Sequence, residues 1–456
     1  MKHILLIGAG KSSSSLIDYL KQKSESEDLQ ITIVDKNLSL AEKIAGQHKR
    51  FNLKNIDIFD EEIRAELIQK ADLVISMLPA RFHMQVALDA LKYGKHMVTA
   101  SYISPELKAL DDKIKEKNLV FMNEIGLDPG IDHMSAMRVI NQIKEQGGKM
   151  LLFESFTGGL VAPESDDNLW HYKFTWNPRN VVVAGQGGVA KFLHAGQFKY
   201  IPYNKLFRRT EFLEIENYGR FEGYPNRDSL KYQKIYGLED VLTLYRGTIR
   251  KVGFARAWNV FVQLGMTDDT YIMEDSENMT KRDFINAFLP YSPTDSVELK
   301  LRHYLKIDQD DELWFKLEEL DLFDGETKIG IKEATPAQML QKVLEDKWTL
   351  KPDDKDMIVM YHKFGYVIDH KNKQIDSQLV VKGEDQTYTA MAKTVGLPVG
   401  IAAVKILKGE INTPGVQLPI TPEVYEPILQ ELEDYGIVFN EKEVPFQCYN
   451  PNAVAG

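Results

Sequence analysis

The strongest constraint on this chain is the way its amino-terminal quarter alternates. Short apolar, β-rich runs at residues 3–7, 30–34, 55–59, 73–77, 96–99 and 119–122 are separated by helical patterns at 14–23, 38–45, 61–69, 84–93 and 105–116. Strands that recur singly between helices cannot pair as hairpins, so they must run parallel with helices covering both faces. The expected fold is therefore α/β, opening with a doubly wound sheet of the Rossmann type.

From about residue 150 the texture changes. Segments 150–156, 180–184, 211–218 and 252–263 are rich in aromatics, β-branched residues and glycine, which predicts a mixed or antiparallel sheet. Residues 280–347 read as helices broken by Pro, Asp and Gly, a small all-helical lobe, and 356–361 returns to strand. Residues 391–406 form an apolar helical pattern interrupted by Gly396 to Gly400, too hydrophobic for a surface and expected to pack back on a sheet. With 456 residues to accommodate, these changes predict three domains. They are a dinucleotide-binding domain at 1–130 completed by about 390–456, a mixed-sheet α/β substrate domain at 131–275 with 350–389, and the helical domain at 276–349.

Charge narrows the partners. The net charge is −11, and no block of Lys and Arg tracks a phosphate backbone, which argues against nucleic acid. The apolar run at the amino terminus breaks at Gly8, and no later segment reaches the ~20 apolar residues of a membrane span. A single cysteine, Cys448, forms no internal disulfide and is read as an inert thiol in a reducing cytoplasm. A small molecule is the expected partner, and a homodimer stays open.

Chemistry concentrates at strand ends. Gly8, Gly10, Lys11, Ser12 and Ser13 follow the first strand and open the first helix, where a dinucleotide's pyrophosphate meets backbone N–H groups. Ser13 stands where the fingerprint has its third glycine. Asp35 ends the second strand, placed to accept the adenosine ribose hydroxyls and to repel a 2′-phosphate, so NAD is favoured and NADP, with Lys36 adjacent, remains an alternative. Ser76, Met77 and Leu78 end the fourth strand; Ser101 and Tyr102 follow the fifth. The sixth runs into a polar corner with two aspartates, residues 123–133. Downstream, Arg227, Arg246 and Arg250 are cations in an acidic protein, suited to carboxylates of a ligand or of neighbouring side chains. His133 has no second histidine or cysteine at ligand spacing, so no metal site is expected.

Taken in order, GAGKSS (8–13), SMLP (76–79), TASY (99–102), NEIGLDPGIDHM (123–134), GGLVAPESDDN (158–168), YKFTW (172–176), YPNRDSL (224–230), YRGTIR (245–250) and GLPVGIAA (396–403) resemble the saccharopine reductase family, the glutamate-forming saccharopine dehydrogenases. The resemblance implies a variant Rossmann domain, an α/β catalytic domain and a small helical domain. It implies an oxidoreductase of lysine metabolism that interconverts saccharopine, oxidised nicotinamide cofactor and water with glutamate, 2-aminoadipate semialdehyde and reduced cofactor. Carried over by position, Leu127, Asp128 and Pro129 border the nicotinamide, and Ser101, Tyr102 and Asp128 face saccharopine. Arg227 with Thr248, Ile249 and Arg250 grips its carboxylates, and Asp128 with Tyr102 takes the acid–base role. Two departures stand out. Thr157 replaces the cysteine of a fungal Cys-Gly-Gly string, and Asp35, Lys36 and Asn37 replace a Cys-Arg-Thr-like string of NADP-using members. The competing readings are a carboxynorspermidine-type coupling of amine and aldehyde, against which the arginines argue, and a nucleotide-binding regulator without turnover.

Overall fold

The computed structural model describes residues 1–184, 186 and 188–447. Cys448 lies outside the described residues. Two compact units form, Met1–Lys149 with Leu379–Asn440, and Met150–Gln378 with the chain from Glu441. The strands run β1 (Lys2–Ile7), β2 (Leu29–Asp35), β3 (Phe51–Asn55), β4 (Leu73–Ser76), β5 (His96–Val98) and β6 (Val120–Met122). They continue as β7 (Lys149–Val161), β8 (Ala190–His194), β9 (Gln197–Ile201), β10 (Glu211–Ile215), β11 (Gly219–Pro225) and β12 (Thr243–Lys251). The last are β13 (Asp356–Ile368), β14 (Lys371–Lys382), β15 (Gly415–Gln417) and β16 (Asn440–Val444).

In the first unit seven strands pair in the order β15-β6-β5-β4-β1-β2-β3. The pairings are parallel, with Ile7 of β1 opposite both Val34 and Ser76. Ile4 to Ile7 are completely buried, as both faces of the sheet are covered by helices. The winding changes direction on either side of β1, so loops leaving β1 and β4 diverge. That divergence opens the crevice in which such sheets bind ligands.

Helix Ala390–Leu407 completes this unit. Its glycines explain the interruption noted above: a Cβ on Gly396 would stand 2.9 Å from Leu16 N, and one on Gly400 would meet the Tyr19 ring at 2.6 Å. Glycine at these positions lets the helix lie against Ser14–Lys23, and it continues unbroken through Pro398. By length and composition it is apolar enough to cross a membrane, contrary to the expectation that no segment is; 78% of that window is buried within the structure. Helix Ile131–Glu145 also belongs here, pinned by Asn141 Nδ2 donating to Tyr425 OH at 3.0 Å, so the unit extends to 149 rather than 130.

The second unit is built on a mixed sheet. Its main path is β10-β11-β12-β7-β13-β14-β16, with β8 joined to β12 and β9. β7 and β12 are parallel, β11 and β12 antiparallel. Two expected strands are helices. Residues 180–184 lie at a short helix, Pro178–Val182, capped by Asn177. Residues 252–263 give helix Phe254–Leu264, whose apolar side chains Phe254, Ala257, Trp258 and Phe261 fall on one buried face. Aromatic content suggested a strand there, but the three- and four-residue spacing of buried side chains prevailed. The predicted helical stretch is present as Lys281–Asn286, Val297–Leu305, Glu312–Glu319 and Pro336–Trp348. It is part of the second unit: Trp348, at its end, packs against Trp170 (ring centroids 5.1 Å apart), Tyr172 and Phe254.

Candidate functional site

At the carboxyl edge of the first sheet, backbone geometry dictates residue type. Gly8 has φ +101°, and a side chain there would sit 2.9 Å from Met77 O, so β1 passes close to the end of β4 only without one. A Cβ on Gly10 would meet nothing within 4 Å, leaving room beside the first helical turn, Lys11–Ser13. Ser13 is buried and donates to Gly8 O at 3.4 Å, so a hydroxyl fills the third-glycine position without blocking the loop. The cradle fits a dinucleotide pyrophosphate. Lys11 is exposed and Ser12 half-buried on the same turn.

Asp35 is held in place. Its Oδ2 accepts Ala9 N at 2.6 Å and its Oδ1 accepts Asn37 N at 2.9 Å, which ties the end of β2 to the glycine loop. Lys36 is exposed and paired with Asp57 at 3.0 Å.

Beyond β4 and β5, a histidine absent from the sequence-based set appears. His83 is buried, its Nδ1 2.8 Å from Ser76 Oγ and its Nε2 2.7 Å from Ser101 Oγ. Burial holds its pKa down at about 4, so the ring is neutral. Tyr102 OH donates to Asp128 Oδ1 at 3.5 Å, joining the two residues assigned acid–base work.

The loop after β6 supports itself. Gly130, φ +147°, cannot carry a side chain because a Cβ would fall on the backbone of Gly126. Its N–H donates to Asp132 Oδ1 at 2.6 Å. His133 Nε2 lies 3.0 Å from Glu124 Oε2, and Glu124 Oε1 accepts Ile103 N at 3.1 Å. Leu127 is buried, Asp128 half-buried, and the bond from Asp128 to the buried Pro129 is cis. Asp132 and His133 thus brace the turn that presents Asp128.

The second unit gathers its own cluster. Strand alternation places Thr248 and Arg250 on one face of β12 and the fully buried Ile249 on the other. Thr248 stands opposite Thr157 of β7 and Tyr224 of β11. Arg250, 8% exposed, donates from Nη1 to Ile249 O at 2.8 Å, and its guanidinium lies 5.0 Å from the Tyr172 ring centre and 5.4 Å from that of Phe254. Its Nε, Tyr172 OH and Thr157 Oγ1 are buried without hydrogen-bond partners among the described residues. The acid facing it in register, Glu222, accepts Ala255 N at 2.6 Å instead, and burial raises that carboxyl's pKa. Burial likewise raises the phenols of Tyr172 and Tyr224, keeping both neutral. Among the described residues no carboxylate pairs with Arg250.

Arg227 is exposed, with φ +46°, just beyond the end of β11. There it lines a cavity of about 200 Å³ with Lys191, Ile201, Leu206 and Asp228. Tyr172 and Thr157 were named in motifs but not as site residues; His83 gave no signal, seven positions from Ser76 with no motif of its own. No group of three potential metal ligands occurs among the described residues.

Comparison with known proteins matches two family domains: the saccharopine dehydrogenase NADP binding domain over residues 4–122 and the saccharopine dehydrogenase C-terminal domain over 126–437. The Saccharomyces cerevisiae saccharopine dehydrogenase [NADP(+), L-glutamate-forming] is 33% identical over 450 residues, 97% of this chain and 99% of its own. The mitochondrial alpha-aminoadipic semialdehyde synthase of Rattus norvegicus is 35% identical over 464 residues, but the chain spans only 47% of that relative's length. A solved apo saccharopine dehydrogenase (L-Glu forming) from Saccharomyces cerevisiae superposes with a TM-score of 0.87 at 32% identity, covering 98% of this chain and 100% of its own. A homospermidine synthase from Legionella pneumophila, TM-score 0.56 at 10% identity, shares the fold alone. The NADP in these descriptions runs against the preference for NAD drawn from Asp35; what they share is a nicotinamide cofactor. With both domains matched along nearly the whole chain, and with a full-length relative of the same architecture, this chain belongs to the saccharopine dehydrogenase family.

Proposed function

We propose that this chain interconverts saccharopine, NAD(P)⁺ and water with L-glutamate, 2-aminoadipate 6-semialdehyde and NAD(P)H. The observation that carries the reading is Arg250, a buried guanidinium on two aromatic rings with no carboxylate partner among the described residues. Burying a cation without a counter-charge costs several kcal/mol, and an anionic ligand recovers that cost. Thr157, Thr248, Tyr172 and Tyr224 surround it with neutral hydroxyls, donors suited to the remaining carboxylate lone pairs. A substrate with several carboxylates fits this cluster; a polycationic amine does not.

Gly8, Gly10, Lys11, Ser12, Ser13, Asp35, Ser76, Met77, Leu78, Leu127 and Pro129 would hold the dinucleotide. When bound, its nicotinamide accepts or returns the hydride. Asp128, bonded to Tyr102, moves the proton of the reacting amine, and Ser101 orients the substrate. Asp35 sets the choice of cofactor: its anchored carboxylate receives ribose hydroxyls and repels a 2′-phosphate, so NADH is preferred over NADPH here.

The test is reductive coupling of glutamate and 2-aminoadipate semialdehyde, run in parallel with NADH and NADPH. Turnover with this pair above other amine–aldehyde pairs supports the assignment; cofactor binding without turnover overturns it. A higher kcat/KM with NADPH than with NADH overturns the role given to Asp35.

A further inference from the structure

The glycine loop, the aspartates and the arginines leave one polar chain at the first sheet's edge unexplained. Ser76 ends β4 and is completely buried, Ser101 follows β5, and His83 opens the helix between those strands, His83–Tyr93. The imidazole spans the gap from Ser76 Oγ at 2.8 Å to Ser101 Oγ at 2.7 Å, with Thr99 Oγ1 3.5 Å from the same Nε2. A neutral imidazole has one N–H and one lone pair. Whichever tautomer is present, one serine accepts a hydrogen bond from the ring and the other donates one to it, so the ring sets the donor or acceptor sense of Ser101 as well as its position.

We propose that His83 is a positioning residue that acts through Ser101, holding its hydroxyl in one rotamer and one hydrogen-bonding sense toward the amino-acid substrate. This rests on the reading of Ser101 as substrate-facing. The ring stays neutral across the neutral pH range because burial depresses its pKa, so it works as a fixed relay of hydrogen-bond polarity and not as a charge. Burial explains why it escaped the sequence reading: it reaches the site through a second side chain.

The experiment compares His83→Asn, His83→Gln and Ser101→Ala, singly and combined, in the glutamate–semialdehyde coupling assay. A glutamine amide stands where Nε2 did and can keep the bond to Ser101, whereas an asparagine amide reproduces the Nδ1 position and bonds only Ser76. We expect H83N to lower kcat/KM ~10-fold, mostly through KM for the amino-acid substrate, and H83Q to recover most of it. In the S101A background H83N should add less than ~2-fold, because its route to substrate is already cut. Equal losses for H83N with and without Ser101, or wild-type kinetics for H83N, overturn the inference. Absence of turnover in the unmodified protein is a different outcome, and overturns the function proposed above.

Discussion

The two units differ in how they treat buried polar groups, although Ser14 Oγ of the first unit is itself without a partner among the described residues. At the first unit's sheet edge they satisfy one another: Asp35 is bonded by Ala9 and Asn37, Asp132 by Gly130, Glu124 by Ile103 and His133, and His83 by two serines. In the second unit Arg250 Nε, Tyr172 OH and Thr157 Oγ1 are buried with no hydrogen-bond partner among the described residues. Self-satisfied networks rigidify a scaffold, and buried polar groups left over keep hydrogen-bonding capacity for a partner. The first unit's sheet edge is therefore the more rigid of the two, and the cluster around Arg250 is the one an added hydrogen-bond partner would stabilise.

The largest effect should come from Arg250→Met. A roughly 10²–10³-fold loss of kcat/KM is expected with no loss of thermal stability, because the substitution removes an uncompensated buried cation. A fall in Tm in parallel with activity would show that contacts within the protein already stabilise Arg250 and would break the contrast. Gly130→Ala should act on the other side, through structure: its Cβ falls on Gly126 at φ +147°, and urea unfolding should report about 3–4 kcal/mol lost.

Acid and base should separate the units as well. His83 has a folded pKa of about 4 against an ordinary 6.5, caused by burial, so the unfolded chain binds that proton first. Its contribution is intact above pH 6.5 and is lost as the pH falls toward 4, roughly 2–3 kcal/mol. Glu211 has the opposite sign. Burial, and then the nearby Glu154, push its pKa from 4.5 to about 7, so its contribution is present below pH 4.5 and is lost as the pH rises through 7. Stability curves of H83Q and Glu211→Gln against pH should each flatten only its own limb; one shared limb would contradict this assignment. The smallest change is Tyr172→Phe, which keeps the ring under Arg250 and removes one hydroxyl. KM for the amino acid should rise ~10-fold at constant kcat, and an unchanged KM would remove Tyr172 from the carboxylate cluster.

The first unit was largely legible because its determinants are local. Gly8, Gly10 and Ser13 lie within one strand–turn–helix, and Asp35 ends the next strand, so periodicity and turn chemistry suffice to place them. Less was legible in the second unit. Residues 252–263 read as strand from their aromatics, yet form the helix whose Phe254 lies against Arg250. Tyr172, Thr157 and Arg250 meet only through the register of β7 with β12 and an aromatic cluster reaching to Trp348. His83 belongs with them in this respect, because a residue that bonds two strand ends is defined by where those ends converge.

By itself, the order of residues determined that a parallel sheet must form, where its glycine loop falls and which side chains end its strands, since each follows from interactions within one βαβ unit. Only tertiary structure decided that Ser76 and Ser101 share one imidazole, and that Glu222 turns to Ala255 and leaves Arg250 with no carboxylate partner among the described residues. Those outcomes depend on register and burial, which bring together residues far apart in the chain and decide whether each charge finds a partner.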